Sequence, residues 1–482
     1  MRNKIILSVA LFLCFNNVLL SQVSLKATIS NYPNQTISYY QCYTDSLIFI
    51  DSIKTDPKGK FIVSAFKKTA LYKFVMPNNQ GFYILNDGKE TEIKTVYLPN
   101  ISNNWASDSL EVVKSDENKM FYAFQQQQKL VTIANYVLKE IMRLYPLQDP
   151  FHKQIEAEYV QRYKAMEQLF EKVNRKHPNS FSAKFINAYY QPLNPNWKQP
   201  DQWRDSIIVA HYFDYFNPTD SFYLNTNILP EKIEIYLGLK TNKKDDYGQP
   251  INDEMLFAKA AQEFVEQTKV YKTAEGRVLK IEDNVGGCFD FCLQYLLKKF
   301  NKEHKETAFL YLCDQNLKAK EGNCQTENKH FDWAREKAGK LRNIAIGSPA
   351  PDFNTSDNMQ LSGIQSDYTL VLFWATWCPH CTQEVPKIKK TVDDFNQKSS
   401  KKIITVAVSL DSDKELWQKF LKENNLASFI NFSEFKGWQS EVVKKYSVYA
   451  TPTMFLLDKD KKIIAKPLTV EELTKNLTTN SK

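Results

Sequence analysis

Cysteine is scarce in this chain, with eight residues among 482. A chain of this length with so few cysteines is not a small fold held by disulfides, so its core must depend on buried apolar side chains. The sequence contains one C-x-x-C pair, Cys378 and Cys381, with no spaced histidine pair nearby. Since a tetrahedral zinc site needs two further ligands, this pair does not predict a metal site.

Long basic runs and long apolar runs are also missing. No five consecutive residues are basic, although the formal net charge is +8, and lysines alternate with acids along most segments. That pattern is typical of a solvated surface and argues against nucleic-acid binding. Beyond the N-terminal segment no apolar stretch reaches about 18 residues, the length of a spanning helix. The length predicts about three globular domains.

The N-terminus predicts export from the cytoplasm. Arg2 and Lys4 precede an apolar run, and Ser21 stands where a signal peptidase could cut. This pattern is typical of a secretory signal peptide over residues 1–21, and an uncleaved membrane anchor is the alternative. Export predicts a location in the periplasm or cell envelope, where disulfides persist.

Three patterns divide the remaining chain. Residues 22–115 alternate apolar and polar positions between turn signals, as in "KGKFIVSAF", which predicts a β-sandwich-like domain. Residues 116–343 carry apolar residues three and four positions apart, which predicts an all-α domain. Residues 344–482 contain the buried-looking runs "TLVLFW" and "KIITVAVSL", helical stretches and a final hairpin, which predict an α/β sheet.

The C-x-x-C pair lies in the third segment, in "LVLFWATWCPHCTQEVP". Cys378 follows a predicted strand, and Pro379 suits the first position of a helix. A helix N-terminus stabilises negative charge, so we expect the pKa of Cys378 to lie below that of a free thiol. Cys381 lies one turn deeper on the same face, within reach of a disulfide. Taken alone, such a pair could be a redox centre, half a metal site or a structural bridge.

Further residues carry a resemblance to a known family. Residues 344–480 resemble the thioredoxin-like domain of the membrane-associated bacterial thiol:disulfide oxidoreductases, through "GSPAPDF", "FWATWCPHC", Pro386 and "YATPTMFLLD". The β-rich and helical segments are similar to companion domains found beside such thioredoxin domains, neither of which has a known chemistry.

The resemblance implies roles for individual residues. Cys378 would attack a substrate disulfide and Cys381 would resolve the mixed disulfide. Trp377, Pro379 and His380 would modulate the pair. Pro452 matches the family's cis-proline, and with Thr451 it would line the substrate groove.

Glu384, three residues after the second cysteine, matches a family glutamate. It would accept the proton that Cys381 loses, in surroundings made apolar by Leu372 and Trp374. Leu372 stands where cytoplasmic thioredoxins carry a buried aspartate.

The other cysteines do not predict a second redox centre. Cys288 and Cys292 are four residues apart on a predicted helix, and Cys313 and Cys324 follow. Buried small hydrophobes or one structural disulfide explain these four, and Cys42 fits a strand in the core.

The sequence therefore predicts a periplasmic thiol:disulfide oxidoreductase without a cofactor or metal. Its partners would be protein thiols and disulfides of the cell envelope, with a membrane electron donor or acceptor as a further candidate and no nucleic acid. The alternative is a binding or assembly protein whose helical domain holds a partner and whose thioredoxin fold is mainly structural. The direction of electron flow stays open.

Overall fold

A computed structural model describes residues 24–101, 105–190, 201–243, 253–272, 278–280, 287–317, 329–355 and 359–480. The predicted signal segment 1–21 and Cys324 lie outside these residues. The chain divides into two compact units, a first that ends at Lys298 and a second over Lys299–Lys482. The predicted domain boundaries at 115/116 and 343/344 remain a proposal.

The first unit begins with two four-stranded sheets, ordered β4-β1-β7-β8 and β3-β2-β5-β6. The elements are β1 Leu25–Ser30, β2 Thr36–Tyr43, β3 Ser46–Lys54, β4 Lys60–Val63, β5 Ala70–Val75, β6 Gly81–Asn86, β7 Thr91–Val96, α1 Trp105–Asp108 and β8 Glu111–Lys114. Alternate residues of β1 are buried, as period-two patterning requires. Phe61 of β4 and Phe74 of β5 bring their ring centroids to 5.7 Å, so the two sheets share a core.

Helices dominate the middle of the chain. They are α2 Asp116–Lys129, α3 Asn135–Met142, α4 Pro150–Lys176, α5 Phe181–Tyr189, α6 Asp201–Ala210, α7 Ile228–Thr241, α8 Glu254–Gln267, α9 Gly287–Lys302, α10 Glu306–Asn316 and α11 Asp332–Arg342. The prediction of an all-α segment missed one feature, the short antiparallel pair β9 Val270–Lys272 and β10 Val278–Lys280. Three-residue strands carry too little periodicity to be recognised in a sequence.

The C-terminal part of the second unit is a five-stranded sheet in the order β13-β12-β11-β14-β15. Its elements are β11 Tyr368–Trp374, α12 Pro379–Lys398, β12 Ile403–Ser409, α13 Lys414–Glu423, β13 Ile430–Ser433, α14 Glu441–Lys445, β14 Thr453–Leu457, β15 Ile463–Ala465 and α15 Val470–Asn480. Every residue of β11 is buried, as expected of a central strand covered on both faces. β11, β12 and β13 run parallel, and β14 pairs antiparallel to β11.

The predicted fold class is confirmed: β-rich sheets are followed by a helical region and a C-terminal α/β domain. No helix within the described ranges is both long and apolar enough to cross a membrane.

Candidate active site around Cys378 and Cys381

The site begins where β11 gives way to α12. Cys378 is the N-cap residue of α12, and Pro379 occupies the first turn, where its missing N–H removes no helical hydrogen bond. The Cys378 sulfur accepts a hydrogen bond from the backbone N–H of Cys381 at 3.4 Å. The local sequence therefore turns a cysteine sulfur toward the unpaired N–H groups of a helix start, which favour a negative charge.

The two cysteines differ in their acidity. Burial of the Cys378 sulfur is the largest single influence and raises its pKa. The side chains of Cys381 and Thr451, and the backbone N–H groups of Cys381 and His380, donate hydrogen bonds that together outweigh burial. The pKa of Cys378 consequently lies below its ordinary value of 9.0. Burial, followed by the hydrogen bond with Cys378, raises the pKa of Cys381 to about 12.

The two cysteines also differ in exposure to solvent, and the one with the lower pKa is the more exposed. Cys378 keeps 6% of its surface exposed and Cys381 none. The thiolate is the form that attacks disulfides, so Cys378 can meet an incoming disulfide while Cys381 stays protonated and covered. This is the asymmetry that a nucleophile and a resolving thiol require.

Of the two residues predicted to line a substrate groove, Thr451 lies against Cys378. The Thr451–Pro452 peptide bond is cis. The Cys378 thiol donates to the backbone carbonyl of Thr451 at 3.3 Å, although 73 residues separate the two in sequence. Thr453 pairs with Phe373 where β14 runs beside β11, so the sheet register brings this segment to the cysteine pair.

A buried carboxylate that sequence reasoning missed fixes the loop before Cys378. Asp411 is 1% exposed. Its oxygens accept from the backbone N–H of Thr376 at 3.1 Å, from the Thr376 hydroxyl at 2.5 Å and from the Ser409 hydroxyl at 2.6 Å. Asp411 follows β12, whose end lies beside the end of β11 because the strands are parallel. An acid two residues after a buried parallel strand was the signal available in the sequence.

The predicted modulating residues all lie at the surface. Pro379 and His380 are exposed, and Trp377 is 52% exposed. The Trp377 indole donates to the Leu410 carbonyl at 3.4 Å, and its ring centroid lies 6.0 Å from that of Trp438. The outer rim of the site is therefore aromatic on this side.

Glu384 lies in surroundings that differ from those expected. Its carboxylate pairs with Lys387 at 2.8 Å, and 30% of the side chain is exposed. Leu372 and Trp374 are fully buried in β11, as expected. The apolar setting predicted for Glu384 was wrong, because an i,i+3 partner on the same helix face provides a cation. Its role as a proton acceptor stays a prediction.

The remaining described cysteines are buried free thiols. They are Cys42, Cys288, Cys292 and Cys313. Burial is the leading cause that raises the pKa of Cys42, Cys288 and Cys313 to about 12, and that of Cys292 lies well above its ordinary value. Such thiols are unreactive and pack as small apolar side chains. Within the part of the chain that the structure describes, no group of three potential ligands could hold a metal ion.

Comparison with known proteins identifies a thioredoxin-like domain in the C-terminal part of the chain. A family model described as thioredoxin-like matches residues 366–463. The thiol-disulfide oxidoreductase ResA of Geobacillus thermodenitrificans is 32% identical over 141 residues, which cover 28% of this chain and 77% of that protein. ResA of Bacillus thuringiensis subsp. konkukian is 29% identical over 129 residues, covering 26% of this chain and 70% of that protein. A solved domain of a possible thiol-disulfide isomerase from Cytophaga hutchinsonii is 29% identical, covers 28% of this chain and 93% of that domain, and has a TM-score of 0.26.

Proposed function

Because the chain belongs to the thioredoxin-like thiol-disulfide oxidoreductases, we propose that it exchanges disulfides with proteins of the cell envelope through Cys378, Pro379, His380 and Cys381. The observation that carries this proposal is the asymmetry of the two thiols. Cys378 is the less deeply buried of the two and has a lowered pKa, whereas Cys381 is fully buried and has a raised one.

The reaction proceeds in two exchanges. The Cys378 thiolate attacks one sulfur of a partner's disulfide, a mixed disulfide forms, and the partner's other sulfur leaves as a thiolate that takes up a proton. Cys381 then loses its proton and attacks the Cys378 sulfur, which releases the reduced partner and leaves the pair oxidised. With an oxidised pair and a reduced partner the same steps run in reverse.

The resolving step needs a proton acceptor because burial opposes ionisation of Cys381. Glu384 is our proposed acceptor, acting directly or through water after its ion pair with Lys387 opens. The thiolate that the partner releases in the first exchange is another base that can accept the proton of Cys381.

Thr451 and Pro452 supply the groove for the partner. The Thr451 carbonyl lies at the Cys378 sulfur, so an extended partner segment bound beside this backbone would present its disulfide to the nucleophile. Trp377, exposed beside Cys378, adds an apolar contact at the rim.

The lowered pKa of Cys378 bears on the direction of electron flow between the cysteine pair and its partner. Hydrogen bonds that stabilise the thiolate stabilise the reduced pair, which makes it a weaker reductant than a pair without them. A membrane electron donor or acceptor would then set which way electrons flow in the cell.

The location is proposed from the N-terminal segment 1–21, interpreted as an export signal. The β-rich and helical segments would select or position partners. Fractionation of cells, with sequencing of the mature N-terminus, tests the location independently of the chemistry.

The chemistry is tested by trapping the mixed disulfide. Cys381→Ala in the full chain should accumulate a covalent complex with insulin that reductant releases, because the second exchange is missing. Cys378→Ala should trap far less, since the remaining thiol is covered. Cys313→Ala removes a buried thiol elsewhere and serves as the matched control. Equal trapping by both site variants would overturn the assignment of roles, and no trapping by either would favour the binding or assembly protein.

A further inference from the structure

His304 has an unusual backbone for its position. Helix α9 ends at Lys302, and His304 lies just beyond it with φ of 56°. The Lys305 N–H donates back to the Phe300 carbonyl at 2.9 Å, which closes the helix end. Left-handed residues at this position are usually glycine, since a β-carbon is strained there. His304 instead carries a β-carbon and a ring at this position, so its replacement by glycine would relieve backbone strain.

The His304 ring stacks on Tyr449. The ring centroids are 3.7 Å apart and the planes meet at 6°. Tyr449 is 48% exposed, so the stack lies at the surface and fills no core. Tyr449 precedes Thr451 by two residues, and the Thr451 carbonyl accepts the hydrogen bond from Cys378. Tyr449 and Thr451 therefore link a residue from the helical part of the second unit to the nucleophile.

A second contact, between Glu306 and Lys466, lies near the chain that follows Pro452. Glu306, the first residue of α10, pairs with Lys466 at 2.7 Å, and both side chains are about three-quarters covered. The Lys466 ammonium lies 5.6 Å from the ring centroid of Phe455 in β14. β14 begins directly after Pro452. His304 thus contacts Tyr449 just before the groove segment Thr451–Pro452, and Glu306 reaches Phe455 just after it through Lys466.

We propose that His304 is a positioning residue for the exchange site. By stacking on Tyr449 it holds the groove segment where a polypeptide carrying a disulfide must lie, so that residues 299–317 help decide which protein disulfides Cys378 accepts. This inference rests on the proposed function. In this inference the helical part of the second unit influences which protein disulfides react. The intrinsic reactivity of the Cys378 thiol is unchanged.

Two substitutions in the full chain separate the ring from the backbone. His304→Gly removes the ring and relieves the left-handed strain, so a merely structural helix end would be unharmed or improved. His304→Phe retains an aromatic ring that can stack on Tyr449 and also retains the β-carbon that strains the backbone. The reduced protein is mixed with insulin, whose disulfide lies in a polypeptide, or with hydroxyethyl disulfide, which needs no groove. Amide hydrogen exchange over residues 449–453 reports whether the segment is held.

The expected result is selective. His304→Gly should slow reaction with insulin about fivefold, which corresponds to about 1 kcal/mol at 1.36 kcal/mol per tenfold. Its reaction with hydroxyethyl disulfide should change less than about twofold, because stacking contributes little to the thiol itself. His304→Phe should restore the insulin rate, and amide exchange at 449–453 should speed up in the glycine variant alone.

Three outcomes would overturn the inference. They are an unchanged insulin rate in His304→Gly, an equal loss with both disulfides, and a failure of His304→Phe to restore the rate. A wild-type protein that reacts with neither disulfide would instead overturn the proposed function.

Discussion

Replacing Asp411 should loosen the loop that presents Cys378. The Asp411 carboxylate is buried and holds three donors, namely the Thr376 N–H, the Thr376 hydroxyl and the Ser409 hydroxyl. In Asp411→Ala the two hydroxyls can turn toward other acceptors, but the Thr376 N–H cannot. Asp411→Asn keeps the shape and one acceptor oxygen, so it is the matched control.

The size of the effect follows from these contacts. A buried donor left without an acceptor costs about 1–3 kcal/mol, and hydrogen bonds to a charged group contribute about 1.5–3 kcal/mol each. Relief from burying a carboxylate offsets part of that loss. We therefore expect Asp411→Ala to destabilise the loop by about 3 kcal/mol and Asp411→Asn by about 1 kcal/mol.

The assay must be local, because a chain of several units does not unfold in one two-state step. Amide hydrogen exchange of peptides covering residues 374–382 measures the opening of this loop in the folded protein. About 3 kcal/mol corresponds to about a hundredfold faster exchange, at 1.36 kcal/mol per tenfold. The pKa of Cys378 should rise in the same variant, because the hydrogen bonds that lower it depend on the loop. Exchange less than about threefold faster in Asp411→Ala would refute the reasoning.

Three further predictions concern titration and stability. Iodoacetamide should alkylate Cys378 with a pH midpoint below the ordinary cysteine value of 9.0, and a midpoint at or above that value would contradict the hydrogen-bond argument. Glu384→Gln should slow resolution of the mixed disulfide about tenfold and its formation less, and equal rates in rapid-quench experiments would leave water as the acceptor. Lys232 is buried over the Tyr212 ring, and burial, opposed by Glu231, lowers its pKa to about 7 from 10.5. The folded state therefore binds fewer protons than the unfolded state between those values, and stability should rise with pH across that window. Lys232→Met should remove this rise and add about 2 kcal/mol at pH 7, and an unchanged pH dependence of the opening free energy, measured by amide exchange over residues 228–241, would contradict it.

The sequence predicted those parts of the second unit that local patterns determine. β11 is a continuous apolar run, and Pro379 marks the start of α12, so the strand, the turn and the helix N-terminus could be placed from local pattern alone. The resemblance then supplied Thr451 and Pro452, which spacing alone could not have brought to Cys378.

Other features depend on contacts that a sequence does not display. β13 is four half-covered residues at the edge of the sheet, too short for a clear period. Asp411 is one acid among many in the sequence, and only the parallel pairing of β11 and β12 brings it to Thr376. The wrong prediction at Glu384 has a different cause. Lys387, three residues further along the same helix, was visible in the sequence, and its ammonium pairs with the Glu384 carboxylate.

The contrast between the more acidic thiol of Cys378 and the fully buried, less acidic thiol of Cys381 also bears on damage by peroxide. Cys378, with its lowered pKa, is the thiol that hydrogen peroxide would oxidise first, to a sulfenic acid with release of water. Cys381 lies within hydrogen-bond contact of that sulfur and can condense with the sulfenic acid, which releases a second water molecule and forms the ordinary disulfide. An oxidant would thus convert the pair into a state that thiol exchange can reverse, before the irreversible sulfinic acid forms.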